Sequence, residues 1–238
     1  MNTHPPRHVI VTGANRGIGL EFTRQLLARG DRVVATAREP GKATALNTLA
    51  GEYPGRLHVL PLDITRPRTH AELARELPLA FGDGVRIDLL INNAGVLHSG
   101  ERFGALDLDN LEHSFRTNAA GPYLLTQALA PQLADGARVV NMSSRIGAIG
   151  LTTRFGTPSY AISKAALNMA TVLLAQALSV RDIVVVAVSP GWVRTDMGGE
   201  QAEVAPEDAV AGLLARVDDL SMSNSGSFFD WQGEPIPW

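Results

Sequence analysis

The sequence predicts an α/β fold, a three-layer sandwich around a central, mostly parallel seven-stranded sheet. Three observations carry that expectation. Short β-branched runs alternate with longer helical stretches, an order that buries a parallel sheet on both faces. A glycine-rich turn sits between the first of these runs and the first helical stretch. An apolar content of 45% over 238 residues supplies one sizeable core.

Taken in order, Val9-Ile10-Val11 reads as the first strand and Gly17 to Arg29 as a helix closed by Gly30. Arg32 to Ala37 gives the second strand, Leu57 to Leu62 the third and Ile87 to Ile91 the fourth. A helical pattern around Thr69 to Leu77, with Pro67 as a possible first residue, separates the last two. A long helical region from Leu108 to Leu133 contains Gly121-Pro122. Pro122 lacks an N–H donor and should bend or divide the helix there. Ala137 to Met142 forms the fifth strand, Ser159 to Leu178 the last long helix and Ile183 to Val188 the sixth strand. A helix from Pro206 to Val217 and a closing strand from Gly226 to Trp231 complete the pattern. No repeat, low-complexity block or linker divides the chain, so residues 1–238 read as a single domain. Its crossovers should be right-handed, with the ligand crevice at the carboxyl ends of the strands.

Composition removes several function classes. The net charge of -3, without a basic block, argues against nucleic acid as a partner. The absence of cysteine excludes a disulfide framework, a thiolate nucleophile and a thiolate metal site, and no metal is expected. Met1 to His8 is short and polar, unlike a signal peptide, and no later segment reads as a membrane span. A cytoplasmic protein with no membrane partner is the expectation. Lysine occurs only at positions 42 and 164. A bias toward arginine explains the scarcity, but a lysine kept inside an apolar helical segment asks for a chemical explanation.

The turn Thr12-Gly13-Ala14-Asn15-Arg16-Gly17-Ile18-Gly19 follows a strand and opens a helix. Two glycines there would be weak evidence, since ordinary turns use them. Three at this spacing are stronger: Gly13 makes the tight turn, Gly17 admits a ligand to the backbone and Gly19 allows close helix packing. The helix N-terminus then offers free N–H groups and a favourable dipole to a pyrophosphate. The pattern is that of a Rossmann-type dinucleotide site.

The second strand ends Thr36-Ala37-Arg38, with no carboxylate to hold ribose hydroxyls. Arg38 and Arg16 could reach a 2′-phosphate, whose oxygens match the fixed donors of a guanidinium. Glu39 argues the other way, because it could bind ribose or neutralise Arg38. The balance favours NADP(H) over NAD. Asp63, followed by Ile64, stands after the third strand where it could accept from the adenine amino group. Asn92-Asn93-Ala94-Gly95 after the fourth strand could line the adenosine side, although either segment could be a simple turn or cap.

Tyr160 and Lys164 are four residues apart in a helix and share one face with Leu167 and Thr171. A core tyrosine and a solubilising lysine are the bland alternative, but Ala161, Ile162, Ala165 and Ala166 make a fully exposed face a poor reading. A cation beside the phenol would bring its pKa toward neutrality. Tyr160 could then donate a proton to a carbonyl, or take one from an alcohol. Ser144 or its neighbour Ser143, after the fifth strand, could orient the substrate oxygen.

On these motifs the chain resembles the short-chain dehydrogenase/reductase family over nearly its whole length. The resemblance rests on the Thr12 to Gly19 turn, Asp63, Asn92 to Gly95, Asn118, Ser144, Tyr160 and Lys164. The segment Pro190-Gly191-Trp192-Val193-Arg194-Thr195-Asp196-Met197 and the ending Gly233 to Trp238 look like the carbonyl-reductase-like branch that includes bacterial C-factor proteins. The resemblance implies a tetrad of Asn118, Ser144, Tyr160 and Lys164. In it Tyr160 is the general acid/base, Lys164 lowers its pKa and bonds the nicotinamide ribose, and Ser144 rather than Ser143 holds the substrate oxygen. Asn118 would position a water in a proton relay, where otherwise it would only bond backbone at an interrupted helix. Pro190, Gly191, Val193 and Thr195 would contact the nicotinamide. The sixteen positions from Ser144 to Tyr160 exceed the common family spacing, and Arg145 to Pro158, with three glycines, should form a mobile loop.

The short Met197 to Pro206 loop offers little apolar surface, which suits small aldehydes, ketones or quinones; Arg145, Arg154 and Arg194 leave room for an anionic substrate. The helix from Ser159 to Leu178 is apolar around much of its circumference, pointing to a homodimer or homotetramer unless the Phe228 to Trp238 segment covers it. The rival to an enzyme is an NADP-binding regulatory or signalling protein of the C-factor type. A sugar epimerase fits less well, because little chain remains for a nucleotide-sugar pocket.

Overall fold

The computed structural model describes residues 6–238, so the first five residues of the polar Met1 to His8 stretch lie outside the described residues. The strands are β1 His8–Val11, β2 Arg32–Ala37, β3 Leu57–Pro61, β4 Ile87–Asn92, β5 Leu133–Met142, β6 Val184–Ser189 and β7 Phe228–Asp230. They form one sheet in the order β3-β2-β1-β4-β5-β6-β7. Every neighbouring pair is parallel, including β7, so the sheet is wholly rather than mostly parallel. The chain reverses its direction of travel across the sheet between β1 and β4, and a crevice forms at such a point in a doubly wound sheet.

The helices are α1 Gly17–Ala28, α2 Thr44–Glu52, α3 Pro67–Phe81, α4 Leu108–Phe115, α5 Gly121–Leu129, α6 Pro158–Leu178 and α7 Pro206–Asp218. Strand alternation sorts them into two layers, because successive side chains point to opposite faces. Val9, Val11, Val33, Ala35, Val184 and Val186 pack with Phe22 and Leu26 of α1, Leu46 of α2 and Leu213 of α7. The intervening Ile10, Val34, Leu90 and Val185 pack with Leu73 of α3, Leu125 of α5 and Leu174 of α6. Strands this apolar on both faces are what an all-parallel sheet requires.

Several elements differ from the sequence-based expectation for identifiable reasons. Helix α2 was not anticipated: this short helix buries only Leu46 and Leu49, too few positions for a helical period to show. Strand β5 starts at Leu133 rather than Ala137, its pairing with β4 interrupted by a register shift between Ile87 and Leu89. The closing strand shrinks to Phe228–Asp230, since Gly226 takes a φ of 81° outside the extended region. The helical region from Leu108 divides as Pro122 demands, through a π-helical turn at Arg116–Ala120 in which the Gly121 N–H reaches back five residues to the Arg116 carbonyl. Pro122 has no N–H for the Asn118 carbonyl, so the ordinary ladder cannot run through this point.

Two further corrections concern loops and hydropathy. Arg145 to Pro158 is not an open mobile loop throughout: it folds as two 3-10 turns, Arg145–Gly147 and Ile149–Leu151. Ala148 is buried with Ala187, Phe228 and Ile236, and the Gly150 N–H donates to the Trp238 carbonyl at 3.1 Å. In addition, α6 with its continuation to Arg181 is long and apolar enough by length and composition to cross a membrane, contrary to expectation. In this fold it packs along β6 and the 145–147 turn, with Ser159, Ser163, Lys164, Asn168 and Thr171 buried.

The π-helical turn packs tightly on the chain after β3. A Cβ added at Gly121 would lie 2.6 Å from the Ile64 carbonyl oxygen and 2.9 Å from that of Arg116. Gly121→Ala should therefore lose roughly 1–3 kcal/mol despite alanine's better helix propensity. Thermal denaturation checks this, and a variant melting at the parent temperature would contradict the close packing.

Candidate active site

A cleft of about 410 Å³ opens at the carboxyl ends of the strands. The glycine turn forms one wall through Gly13, Asn15, Arg16, Gly17, Ile18 and Gly19. Arg38, Glu39 and Lys42 after β2, with Asp63 and Ile64 after β3, form the second. Asn93, Ala94, Gly95 and Val96 after β4 line its floor. Tyr160 and Lys164 of α6 close it with Pro190, Thr195, Asp196 and Met197. Of the residues predicted to contact a dinucleotide, Thr12, Gly191 and Val193 stand behind this surface rather than on it. The buried Thr12 hydroxyl accepts from the N–H groups of Asn93 and Ala94 at 2.9 and 3.0 Å, stitching β1 to β4. Val193 is buried in a bridge to Val204, and Gly191 turns with a φ of 81° against Trp231.

Side chains are excluded where the turn needs them to be. Gly13 and Gly17 have φ values of 62° and 54°, which glycine adopts without strain. A Cβ on Gly19 would lie 2.5 Å from the Gly13 carbonyl oxygen. Asn93 locks the turn from across the sheet, its amide donating to the carbonyls of Thr12 and Gly13 at 2.9 and 3.1 Å. Arg16, which could also reach a 2′-phosphate, lines the cleft and pairs with Asp196 at 2.7 Å. Glu39 takes Lys42 as its ion-pair partner, which leaves the Arg38 guanidinium exposed on the wall. Asp63 turns one oxygen to the N–H and hydroxyl of Thr65 at 3.0 and 2.7 Å and the other to Arg66 at 3.1 Å. Arg38 and Lys42 bring cationic groups to the wall where β2 ends, with Glu39 between them, and the glycine turn beside them fits a dinucleotide.

The side of α6 that meets the cleft carries Tyr160 and Lys164. Lys164 is 4% exposed, and its Nζ donates to the Met142 carbonyl at 2.6 Å, 5.4 Å from the Tyr160 ring centre. Burial lowers the Lys164 pKa to about 8. Burial also pushes the Tyr160 phenol up to about 12, with a hydrogen bond from Ser144 acting in the opposite direction. Desolvation thus acts on this phenol in the direction opposite to the lowering expected from Lys164. The two serines have different partners, and Ser143 is the one that lines the cleft. Ser143 donates its hydroxyl to Asn168 Oδ1 at 2.6 Å, whereas the Ser144 hydroxyl meets the phenol and accepts from the Ile146 N–H at 3.3 Å.

Asn118 lies within the π-helical turn and is fully buried. Its amide exchanges two hydrogen bonds with the Val96 backbone, at 2.8 and 2.9 Å, and donates to the Ser163 hydroxyl at 2.9 Å. The side chain thus ties the chain after β4 to α6, and Pro122 offers the Asn118 carbonyl no i+4 donor. Asn92, expected at the adenosine side, is buried and donates to Thr126 at 3.1 Å and Asn141 at 2.8 Å. Sequence reasoning missed Asn168, whose amide also donates to the Gly147 carbonyl at 3.1 Å, and Glu101, which accepts from the Ser159 N–H at 3.1 Å and caps α6. The helical spacing Tyr160, Lys164, Asn168 was the available signal for the first; nothing local marked the second. The pair His98 and His113 lies 3.2 Å apart at the cleft edge, and no group of three or more such ligands exists among the described residues.

Comparison with known proteins is consistent with this geometry. A family model described as short chain dehydrogenase matches residues 7–205. C-signal of Myxococcus xanthus is 42% identical over 154 residues, 64% of this chain and 93% of that protein. The 1-hydroxy-2-glutathionyl-2-methyl-3-butene dehydrogenase of Rhodococcus sp. strain AD45 is 35% identical over 234 residues, 97% of this chain and 99% of that one. Among solved structures, the NADPH-bound carbonyl reductase from chicken fatty liver superimposes with a TM-score of 0.93 at 36% identity, covering 99% of this chain and 100% of its own.

The buried lysine makes stability depend on pH. Its native pKa of about 8 lies below the ordinary value, so the unfolded chain binds that proton more tightly. The stability difference between parent and Lys164→Met should grow in the parent's favour as pH rises from about 8 toward 10, by on the order of 2–3 kcal/mol. Above that range Tyr160 acts oppositely, because the unfolded chain loses its phenolic proton first. Urea denaturation of both proteins from pH 7 to 10 checks the trend; a pH-independent difference would contradict it.

Proposed function

The chain belongs to the short-chain dehydrogenase family, and on that premise we propose that it reduces small carbonyl compounds with NADPH, Tyr160 supplying the proton. The observation that carries this reading is the half-buried Tyr160 on the cleft wall, its phenol interacting with Ser144 and its helix placing buried Lys164 one turn away. The nicotinamide, when bound, supplies the hydride. The glycine turn would hold the pyrophosphate, Arg38 would bind the 2′-phosphate, and Pro190 and Thr195 would lie beside the nicotinamide. Ser144 donates to the substrate oxygen, and Tyr160 passes its phenolic proton to that oxygen as negative charge develops there. Lys164 then reprotonates the phenol through a water held beside the Asn118 carbonyl. A phenol protonated near neutral pH is in the form that donates a proton during reduction.

Small substrates suit the short, polar loop that follows Met197. Ile162, Met169 and Leu173 leave an apolar stripe on the exposed side of α6, and a second copy of the chain is its proposed partner. The similarity to C-signal favours a second reading, in which the cleft binds NADP(H) for a signalling role and turnover is secondary.

Steady-state oxidation of NADPH against a panel of aldehydes, ketones and quinones separates the two. The parent should turn over, and Tyr160→Phe should lose about 10²- to 10⁴-fold in kcat while retaining NADPH affinity. Tight NADPH binding without turnover across the panel would favour the signalling reading. Arg38→Ala should weaken NADPH by about tenfold or more and leave NADH nearly unaffected, as measured by KM for each cofactor. Equal effects on both would remove Arg38 from the 2′-phosphate site.

A further inference from the structure

We propose that Asn168 is a positioning residue that fixes Ser144 against Tyr160 by clamping the chain on both sides of the serine; this rests on the roles proposed above for Ser144 and Tyr160. Strand β5 ends at Met142, and the chain must then leave the sheet, pass the cleft and cross α6. Ser143 remains tethered to the sheet by its N–H, which donates to the Val188 carbonyl at 2.7 Å. Beyond it, Ser144 has no further sheet partner within the described strands, yet its hydroxyl must hold its place beside the phenol.

Asn168 supplies the missing restraint. Its Oδ1 accepts from the Ser143 hydroxyl at 2.6 Å, and its Nδ2 donates to the Gly147 carbonyl at 3.1 Å. One buried amide therefore holds the residue before Ser144 and the turn that follows it. The amide orientation is fixed by chemistry, because only its nitrogen can donate to a carbonyl. The turn can come this close because residue 147 is glycine: a Cβ there would lie 2.7 Å from the backbone carbon of Lys164. Within the turn the Gly147 N–H donates to the Ser144 carbonyl at 2.9 Å, completing the loop around the serine.

Register on the helix gives the clamp its leverage. Tyr160, Lys164 and Asn168 are spaced four apart and lie one above another. The acid, the lysine and the clamp are thus parts of one rigid element, so Ser144 is positioned relative to the helix that carries its phenolic partner. A displacement of about 1 Å at a reacting group can cost on the order of 100-fold in rate. Asn168 touches neither substrate nor cofactor in this arrangement; it acts through Ser144.

A double-mutant cycle with NADPH and 4-nitrobenzaldehyde tests the clamp, with product measured at high enzyme concentration so that weak turnover is readable. Asn168→Leu keeps the volume and removes both bonds. It should lower kcat roughly 10- to 100-fold and leave the NADPH dissociation constant within about twofold. In a Ser144→Ala background the same substitution should cost less than about twofold, because its target is gone. An equal loss in both backgrounds, or parent-like kcat for Asn168→Leu, overturns the proposal. Ser143→Ala, which removes one arm with little change in volume, should show a smaller loss that likewise vanishes without Ser144, and it decides the matter if Asn168→Leu fails to fold. Failure of Tyr160→Phe to reduce turnover would instead overturn the underlying reading, whatever Asn168 does.

Discussion

The Lys164 ammonium, sealed between α6 and β5 and bonded to the Met142 carbonyl, is the constraint around which the site is arranged. An ammonium in such a place is costly unless polar groups meet it. The helix must therefore turn a polar side inward, and it does so along its length: Ser163 meets Asn118, Asn168 meets Ser143 and Thr171 meets Asn141. Leu167 is the one large apolar side chain buried within this stretch, and lower on the helix Leu174 joins the core. The polar seam sets which face of α6 looks at the sheet, and so where Tyr160 stands.

The seam meets the dinucleotide-shaped part of the cleft through backbone rather than side chains. Gly95 lies where a Cβ would approach Asn118 Oδ1 at 3.3 Å and Lys164 Nζ at 3.8 Å. The neighbouring Asn93 holds the glycine turn, and Thr12 beneath them joins β1 to β4. The chain reversal between these strands opens the crevice, while buried hydroxyls and amides keep its floor in register. Across the top, Arg16 and Asp196 form an exposed pair, whose contribution to stability should be small.

Much of this was legible in the sequence. Alternating apolar runs marked all seven strands, because a sheet buried on both faces leaves continuous hydrophobic segments. The glycine spacing and the four-residue step from Tyr160 to Lys164 placed the cleft wall correctly, since both are local geometries. What escaped was set by tertiary contacts. The serine choice depended on Asn168, twenty-five residues away from Ser143, and the preference for Ser144 came from family resemblance alone. The partner of Arg16 sits 180 residues away. The pKa order of Tyr160 and Lys164 depended on burial, which spacing does not report. The supposed loop after Ser144 was read from its glycines, but Gly147 marks close packing on α6 and Gly150 meets the chain's final residue.

The proposed hydride site and proton donor share one cleft, and isotope transfer examines that union most directly. The protein would be incubated with NADPH carrying deuterium at the nicotinamide C4 position, using each diastereomer in turn, and with a carbonyl that supports turnover. Mass spectrometry of the alcohol should find deuterium on the carbinol carbon from one diastereomer only, and the Tyr160→Phe protein should form almost none of that product. Bound cofactor whose deuterium never reaches any carbonyl in the panel, or undiminished transfer in Tyr160→Phe, would contradict the account.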